Sequence, residues 1–412
     1  MLNRRAFLRD GAFALVSLGF APSFLQRAVA AAGPRARDKR LIAIFQRGAV
    51  DGLSVIVPYG EADYHKLRPS IALGRPGNGA DGVLDMDGFF GFNPRLAPLA
   101  PMWRRGDLAV VHACGSQDST RSHFDAQDYM ETATPGVKST EDGWLNRYLQ
   151  VRKAERESAF RAVALTPQMP RMLQGRASAV AMSQIAQFGL RSESMNEGFE
   201  AQYAAAADRV LNGTGREAFD AMKTLKSADP SRYQPENGAA YPSTAFGQAL
   251  KQIAQLSKAD VGLEIAFAEI GGWDTHVNQG SAQGQLAARL DDFARSIAAL
   301  VTDLGERMAD TVVLTMSEFG RAVSENGNRG TDHGHGNAML VMGGGVHGGR
   351  VYGRWPGLAS GQRYDGRDLA VTTDFRNVFA EVVVRHLGVA DAGGIFPGFA
   401  VSAGNYPGLF AI

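Results

Sequence analysis

The 412-residue chain has a single cysteine, Cys114, so it can form no internal disulfide and has no thiolate set for a structural zinc. It also lacks an excess of charge of either sign, since 43 Lys and Arg stand against 42 Asp and Glu. No basic stripe runs along it, which argues against nucleic acid and anionic lipid as partners. No internal repeat is visible, and only the polar stretch near 212–240 departs from ordinary globular composition. No apolar run reaches the roughly 20 residues that a membrane span requires. What is present is a 45% hydrophobic chain, long enough for one large domain or two ordinary ones. Cys114 itself reads as a buried thiol at a strand end.

The first thirty residues read as a segment outside the fold. "NRRAFLRD" (3–10) places an arginine pair before a largely apolar stretch, 11–26, and small residues follow at Ala28-Val29-Ala30. That order is the layout of a cleaved secretory signal. Arg4-Arg5-Ala6-Phe7-Leu8-Arg9 resembles the twin-arginine signal, with Asn3 where Ser or Thr is usual. The twin-arginine export machinery is therefore an expected partner and the periplasm, or another exported location, the expected destination. That route carries folded proteins, so a metal could be inserted before export. Removal of 1–30 takes away four Arg and one Asp and leaves the remainder close to neutral.

From residue 31 onward the pattern predicts one α/β domain. "LIAIF" (41–45), "LSVIVP" (53–58), "LAVVHA" (108–113), "RAVAL" (161–165), "GLEIAFAEI" (262–270), "TVVLTM" (311–316) and "AMLVMGGGV" (338–346) read as buried strands. Between 281 and 307, Leu286, Leu290, Phe293, Ile297, Leu300 and Leu304 recur at helical steps. Asp374 is a good N-cap for a helix through "FRNVFAEVVVRHL". Apolar strands alternating with helices predict a mostly parallel sheet covered on both faces. Residues 184–260 contain helix-forming segments and no strand-like run, so they read as a helical insertion.

In such sheets ligands sit beyond the carboxyl ends of strands, and polar clusters follow four of them. Asp51 comes after the first strand, "GSQDSTRSHFD" (115–125) after "LAVVHA", "GGWDTH" (271–276) after "GLEIAFAEI", and "SEFGR" (317–321) after "TVVLTM". Asp274 and His276 would share one face if the strand continued through them. In "GTDHGHGN" (330–337), glycines let Asp332, His333 and His335 converge, unless the segment is simply a polar turn. Carboxylate with imidazole suits zinc, manganese or iron rather than calcium. Ser122 is expected to cap the helix that follows it. The same position, at a helix start, would suit a nucleophilic hydroxyl, with Arg121 steadying an anionic oxygen. His112 reads as a satisfied core residue, His65 and His386 as surface residues, His347 as part of a turn, and His123 as undecided.

Four blocks carry a resemblance: "FQRGAVDGLSVIVPY", "RSHFDAQDYMETA", "GGWDTH" and "VVLTMSEFGRAVSENGNRGTDHGHGNAMLVMGGGVHGGRVYG". Together they resemble the exported domain-of-unknown-function family 1501, grouped with the alkaline phosphatase-like superfamily of sulfatases and cofactor-independent phosphoglycerate mutases. The resemblance implies an alkaline phosphatase-like fold with a metal site at the sheet's carboxyl edge. It also implies a metal-dependent hydrolase of an anionic phosphate or sulfate ester, or else a cell-envelope binding or assembly protein that keeps the scaffold without the chemistry. Carried over residue by residue, it makes Ser122 the nucleophile and Asp51, Asp274 and His276 metal ligands. For the last ligands two registers remain. Either Asp332 and His333 form the Asp-His pair, or Glu318 takes its place and His335 or His333 is the final histidine. The second register preserves strand order. The shifted Asp51, the short Asp274/His276 spacing and Glu318 depart from the superfamily pattern and leave one metal, two or none open.

Overall fold

The run Leu41–Phe45 forms the middle of strand β1 (Arg40–Gln46), and its side chains part alternately to the two faces of a nine-stranded sheet. Leu41, Ala43 and Phe45 enter one apolar cluster, while Ile42 and Ile44 enter the other. The computed structural model describes residues 39–152, 158–185 and 233–411. The expected signal, 1–30, and residues 186–232 of the expected helical insertion lie outside the described residues.

The other strands of the sheet are β2 (Leu108–Gly115), β3 (Ala162–Ala164), β4 (Val180–Ala181), β5 (Ile265–Ile270), β6 (Thr311–Met316), β7 (Asn337–Gly343), β8 (Val351–Tyr352) and β9 (Thr373–Asp374). Their order is β8-β2-β7-β6-β1-β5-β3-β4, with β9 also paired to β2. Every pairing is parallel except the two made by β7, which runs against both β2 and β6. The α/β class with a mostly parallel sheet is therefore as the apolar runs predict.

Helices cover both faces. On one lie α3 (Ala245–Lys258) and α4 (Gln285–Leu304), the latter burying Leu286, Leu290, Phe293, Ile297, Leu300 and Leu304 against Ile42, Ile44, Ala266 and Ala268. On the other lie α2 (Trp144–Val151) and α5 (Phe375–Glu381), whose Trp144 and Phe379 rings stack at 4.6 Å. Asp374 caps α5 by accepting from the Arg376 amide at 2.9 Å. Among the described residues, no helix is long and apolar enough to cross a membrane.

Three local expectations need correction. "LSVIVP" is not one strand: Gly52–Val55 forms a helical turn, and only Ile56–Val57 extends, in a separate three-stranded sheet. The amides of Ser54 and Val55 both turn back onto the Asp51 carbonyl, so the chain curls there. β5 ends at Ile270, so Asp274 and His276 stand on a loop rather than on a strand. His386 is buried, with Nε2 on the Arg40 carbonyl at 2.9 Å, because α5 continues into a π-helical turn that carries it under the sheet. His112 is the core residue expected, with Nε2 on the Ile56 carbonyl at 3.0 Å.

Candidate metal centre

Because β1, β2, β5 and β6 run together and β7 opposes them, the carboxyl ends of four strands and the amino end of β7 share one edge. His123 opens helix α1 (His123–Thr132) beyond β2, Asp274 and His276 follow β5, Glu318 follows β6, and His333 precedes β7. The glycines of "GTDHGHGN" make this approach possible. A Cβ on Gly330 would collide with the His276 backbone, and one on Gly334 with that of Arg321.

Among the described residues, the ligand atoms of His123, Asp274 and His333 lie within 4.8 Å of one another. His333 Nε2 is 3.0 Å from His123 Nε2, 3.0 Å from His276 Nε2 and 3.3 Å from Asp274 Oδ1. His276 Nε2 is 3.0 Å from the same Asp274 oxygen. Two nitrogens bound to one tetrahedral zinc at ~2.0–2.1 Å stand about 3.3 Å apart, so these separations suit a shared ion.

The outer ring nitrogens decide what the inner ones can be. His333 Nδ1 donates to the Arg121 carbonyl at 3.0 Å, and His123 Nδ1 to Glu318 Oε1 at 2.8 Å. His276 Nδ1 faces Asp332 Oδ1 at 3.3 Å. A neutral imidazole that donates through Nδ1 has only a lone pair at Nε2. His333 Nε2, facing the Nε2 of His123 and that of His276 in this way, is repelled unless a cation or a shared proton lies between, and His276 Nε2 also has Arg321 Nη1 at 3.5 Å. Outer hydrogen bonds to carboxylate or carbonyl are the usual support of metal-binding histidines. The donor set therefore fits a divalent transition ion.

Charge around the cluster is graded. The hydrogen bond to Glu318 raises the His123 pKa despite burial, whereas burial, then the Arg321 charge, lowers that of His333. Without an ion, a proton on His123 can thus bridge to the His333 lone pair. Burial pushes the Asp274 and Glu318 carboxyls up, but both end below their usual range. For Asp274 the Arg321 guanidinium outweighs burial; for Glu318 the donors are His123, Gln127 and the Gly48 amide. Arg321 is itself buried and saturated, donating to the carbonyls of Gly48, Ala49, Trp273 and Thr331 and to Asp274 at 2.6 Å.

Other sequence candidates sit elsewhere. Asp51 is fully buried and holds Arg68 through two contacts, 2.6 and 3.0 Å, while also accepting from Ser54 and Gln279. Burial raises its pKa, but Arg68 more than reverses this, and its oxygens are occupied by donors. Asp51 is not part of the cluster. His335 is not either: it is buried and stacks on Tyr364 at 4.2 Å. Glu318 and Asp332 touch the ring nitrogens from outside. Ser122 caps α1, accepting from the Asp125 amide at 3.4 Å, with its hydroxyl at the exposed start of the helix. Arg121 contributes its carbonyl to His333, while its guanidinium is held by Asp368 at 2.6 Å.

Residues 107–392 match the family described as protein of unknown function (DUF1501). The chain belongs to that family. No curated protein matches it. Among solved structures it is similar to the PsFucS1 sulfatase from Pseudoalteromonas sp., at 13% identity and a TM-score of 0.42, over 94% of this chain and 77% of that one.

In this DUF1501 chain, His123 and Arg321 are the site residues that spacing alone does not single out. The signal for His123 was its place at a helix start beyond a strand, the reason Ser122 stood out. For Arg321 it was the polar cluster after β6. Neither residue type announces its role until its partners, distant in sequence, are in place.

Proposed function

We propose that this chain is an exported, metal-dependent hydrolase of a phosphate or sulfate ester, built around one divalent ion held by His123, Asp274, His276 and His333. The observation that carries the reading is the approach of His123 Nε2, His276 Nε2 and an Asp274 oxygen to His333 Nε2, with the outer nitrogens committed to acceptors. Zinc, manganese and iron all accept this donor set. One ion is proposed rather than two. Asp51, the further carboxylate that the resemblance offers a second ion, is committed to Arg68.

When bound, the ion supplies Lewis acidity, favouring the ionised form of a nearby hydroxyl and offsetting charge that develops on the ester. Ser122 lies between Arg121 and His123, both of which touch His333, and its hydroxyl is the candidate attacking group. The amino end of the ten-residue helix α1 favours an anionic substrate there. Arg121, paired with Asp368, acts through position rather than as a free anion clamp. Export by the twin-arginine machinery to the periplasm fits the Arg4-Arg5 segment and a cofactor loaded before transport.

Elemental analysis of the purified full-length protein is expected to give close to one transition-metal ion per chain, with hydrolysis of an aryl phosphate or aryl sulfate that a chelator abolishes. Protein that takes up no metal and is inert to both esters sinks the proposal. A second reading, a non-catalytic envelope component with a loop-pinning ion, draws support from Ser122. Among the described residues its Oγ has only the Asp125 amide as a hydrogen-bond partner, and no base. That reading expects a lower melting temperature on chelation with no hydrolysis at any stage.

A further inference from the structure

We infer that Asp368 is a positioning residue for His333, holding the ring at both its side-chain and main-chain ends through two arginines. The Asp368 side chain is 0% exposed. Its Oδ2 takes Arg121 Nη2 at 2.6 Å, and its Oδ1 takes Arg367 Nε at 2.8 Å. Each arginine then grips His333 at a different point. The Arg121 carbonyl accepts from His333 Nδ1 at 3.0 Å, and Arg367 Nη2 donates to the His333 carbonyl oxygen. One buried carboxylate thus fixes both the backbone and the ring tautomer of a single candidate ligand.

The loop around Asp368 is shaped as a seat for the segment that carries His333. Tyr364 stacks on His335 at 4.2 Å with the rings 20° apart. The Gly336 amide donates to the Leu369 carbonyl at 2.8 Å, and Asp368 bridges to Ala322 in the strand-like stretch that also pairs Arg321 with His333. This gives His335, one of the two candidates for the final histidine, its place: it docks the segment that carries His333 onto the seat. A neutral amide at 368 could not satisfy two guanidinium groups at once, because one of its two heads is a donor. Both arginines would then be free to turn, and the His333 Nδ1 acceptor would move with Arg121.

The metal arm of the test rests on the proposed ion at this cluster; the tautomer arm does not. The proteins compared are wild type, Asp368→Asn and Arg367→Gln, the last removing, from a half-exposed position, the grip on the His333 carbonyl and one of the two contacts to Asp368 while leaving that of Arg121. In metal-free protein labelled with ¹⁵N-histidine, wild-type His333 is expected as the Nδ1–H tautomer, and Asp368→Asn as a mixture of both. Zinc affinity, measured by competition with a chelator, is expected to fall about 10–100-fold in Asp368→Asn, and by less in Arg367→Gln. A purely structural role would lower the melting temperature and leave both readouts in place. Folded variants that keep the wild-type tautomer and zinc affinity overturn the inference. If Asp368→Asn does not fold, Arg367→Gln decides. If wild type binds no zinc, the proposed function falls and the tautomer comparison still decides the role of Asp368.

Discussion

Asp51 and His123 each lie beyond the end of a strand, and partners alone separate their roles. Asp51 is surrounded by donors, with Arg68 on both oxygens, so it is a structural counter-charge. Changing it to Asn leaves a fully buried guanidinium without its charge partner, and breaking such a pair costs about 3–5 kcal/mol. Denaturant melts of metal-free Asp51→Asn are expected to show that loss, with metal per folded chain unchanged. His123→Ala is the reverse case. Its metal-free stability is expected to fall by only about 1–3 kcal/mol, because buried Glu318 loses one donor but keeps Gln127 and the Gly48 amide, while its zinc content drops to background. A folded Asp51→Asn protein that binds no metal would place Asp51 in the centre after all.

At the scale of elements, the segment 330–337 works because it is thin. Gly334 lets its backbone lie against Arg321, so that the His333 main chain pairs with Arg321 as a short bridge. Ala at Gly334 has no room, and overpacking of this kind costs about 1–3 kcal/mol. Gly334→Ala is expected to melt earlier and to hold zinc less tightly, since the backbone that carries His333 must retreat. A variant with normal melting and normal zinc affinity would show that the segment yields without moving its ligand. Helix α4 makes a contrasting case: its apolar stripe was legible from spacing alone, because a periodic face needs only a sheet to lie on.

For the whole molecule, acid is the revealing stress. Burial depresses the pKa of both His112 and His386 from the ordinary 6.5 to about 4. In the folded chain these rings stay neutral down to about pH 4, whereas in the unfolded chain they take up protons from about 6.5. The stability they contribute is therefore complete above pH 6.5 and is lost as pH falls toward 4, on the order of 3 kcal/mol for each. Urea midpoints of metal-free protein are expected to fall across that window. His112→Gln, which can still donate to the Ile56 carbonyl, is expected to flatten the dependence; an unchanged slope would assign the acid sensitivity elsewhere.

The sequence by itself determined the layered sheet and the α4 stripe. It also determined the edge at which the polar clusters gather. Those features follow from periodicity and from the direction of parallel strands, which are local or additive along the chain. It could not tell ligand from counter-charge, since an aspartate after a strand looks the same whether a guanidinium or a metal ion will meet it. Arg68 reaches Asp51 across 17 positions and Arg321 reaches Asp274 across 47, and neither approach leaves a mark in spacing. Which of His333 and His335 faces the cluster was likewise decided only in the fold. Tyr364 supplies a face for one ring, and the Arg121 carbonyl supplies an acceptor for the other.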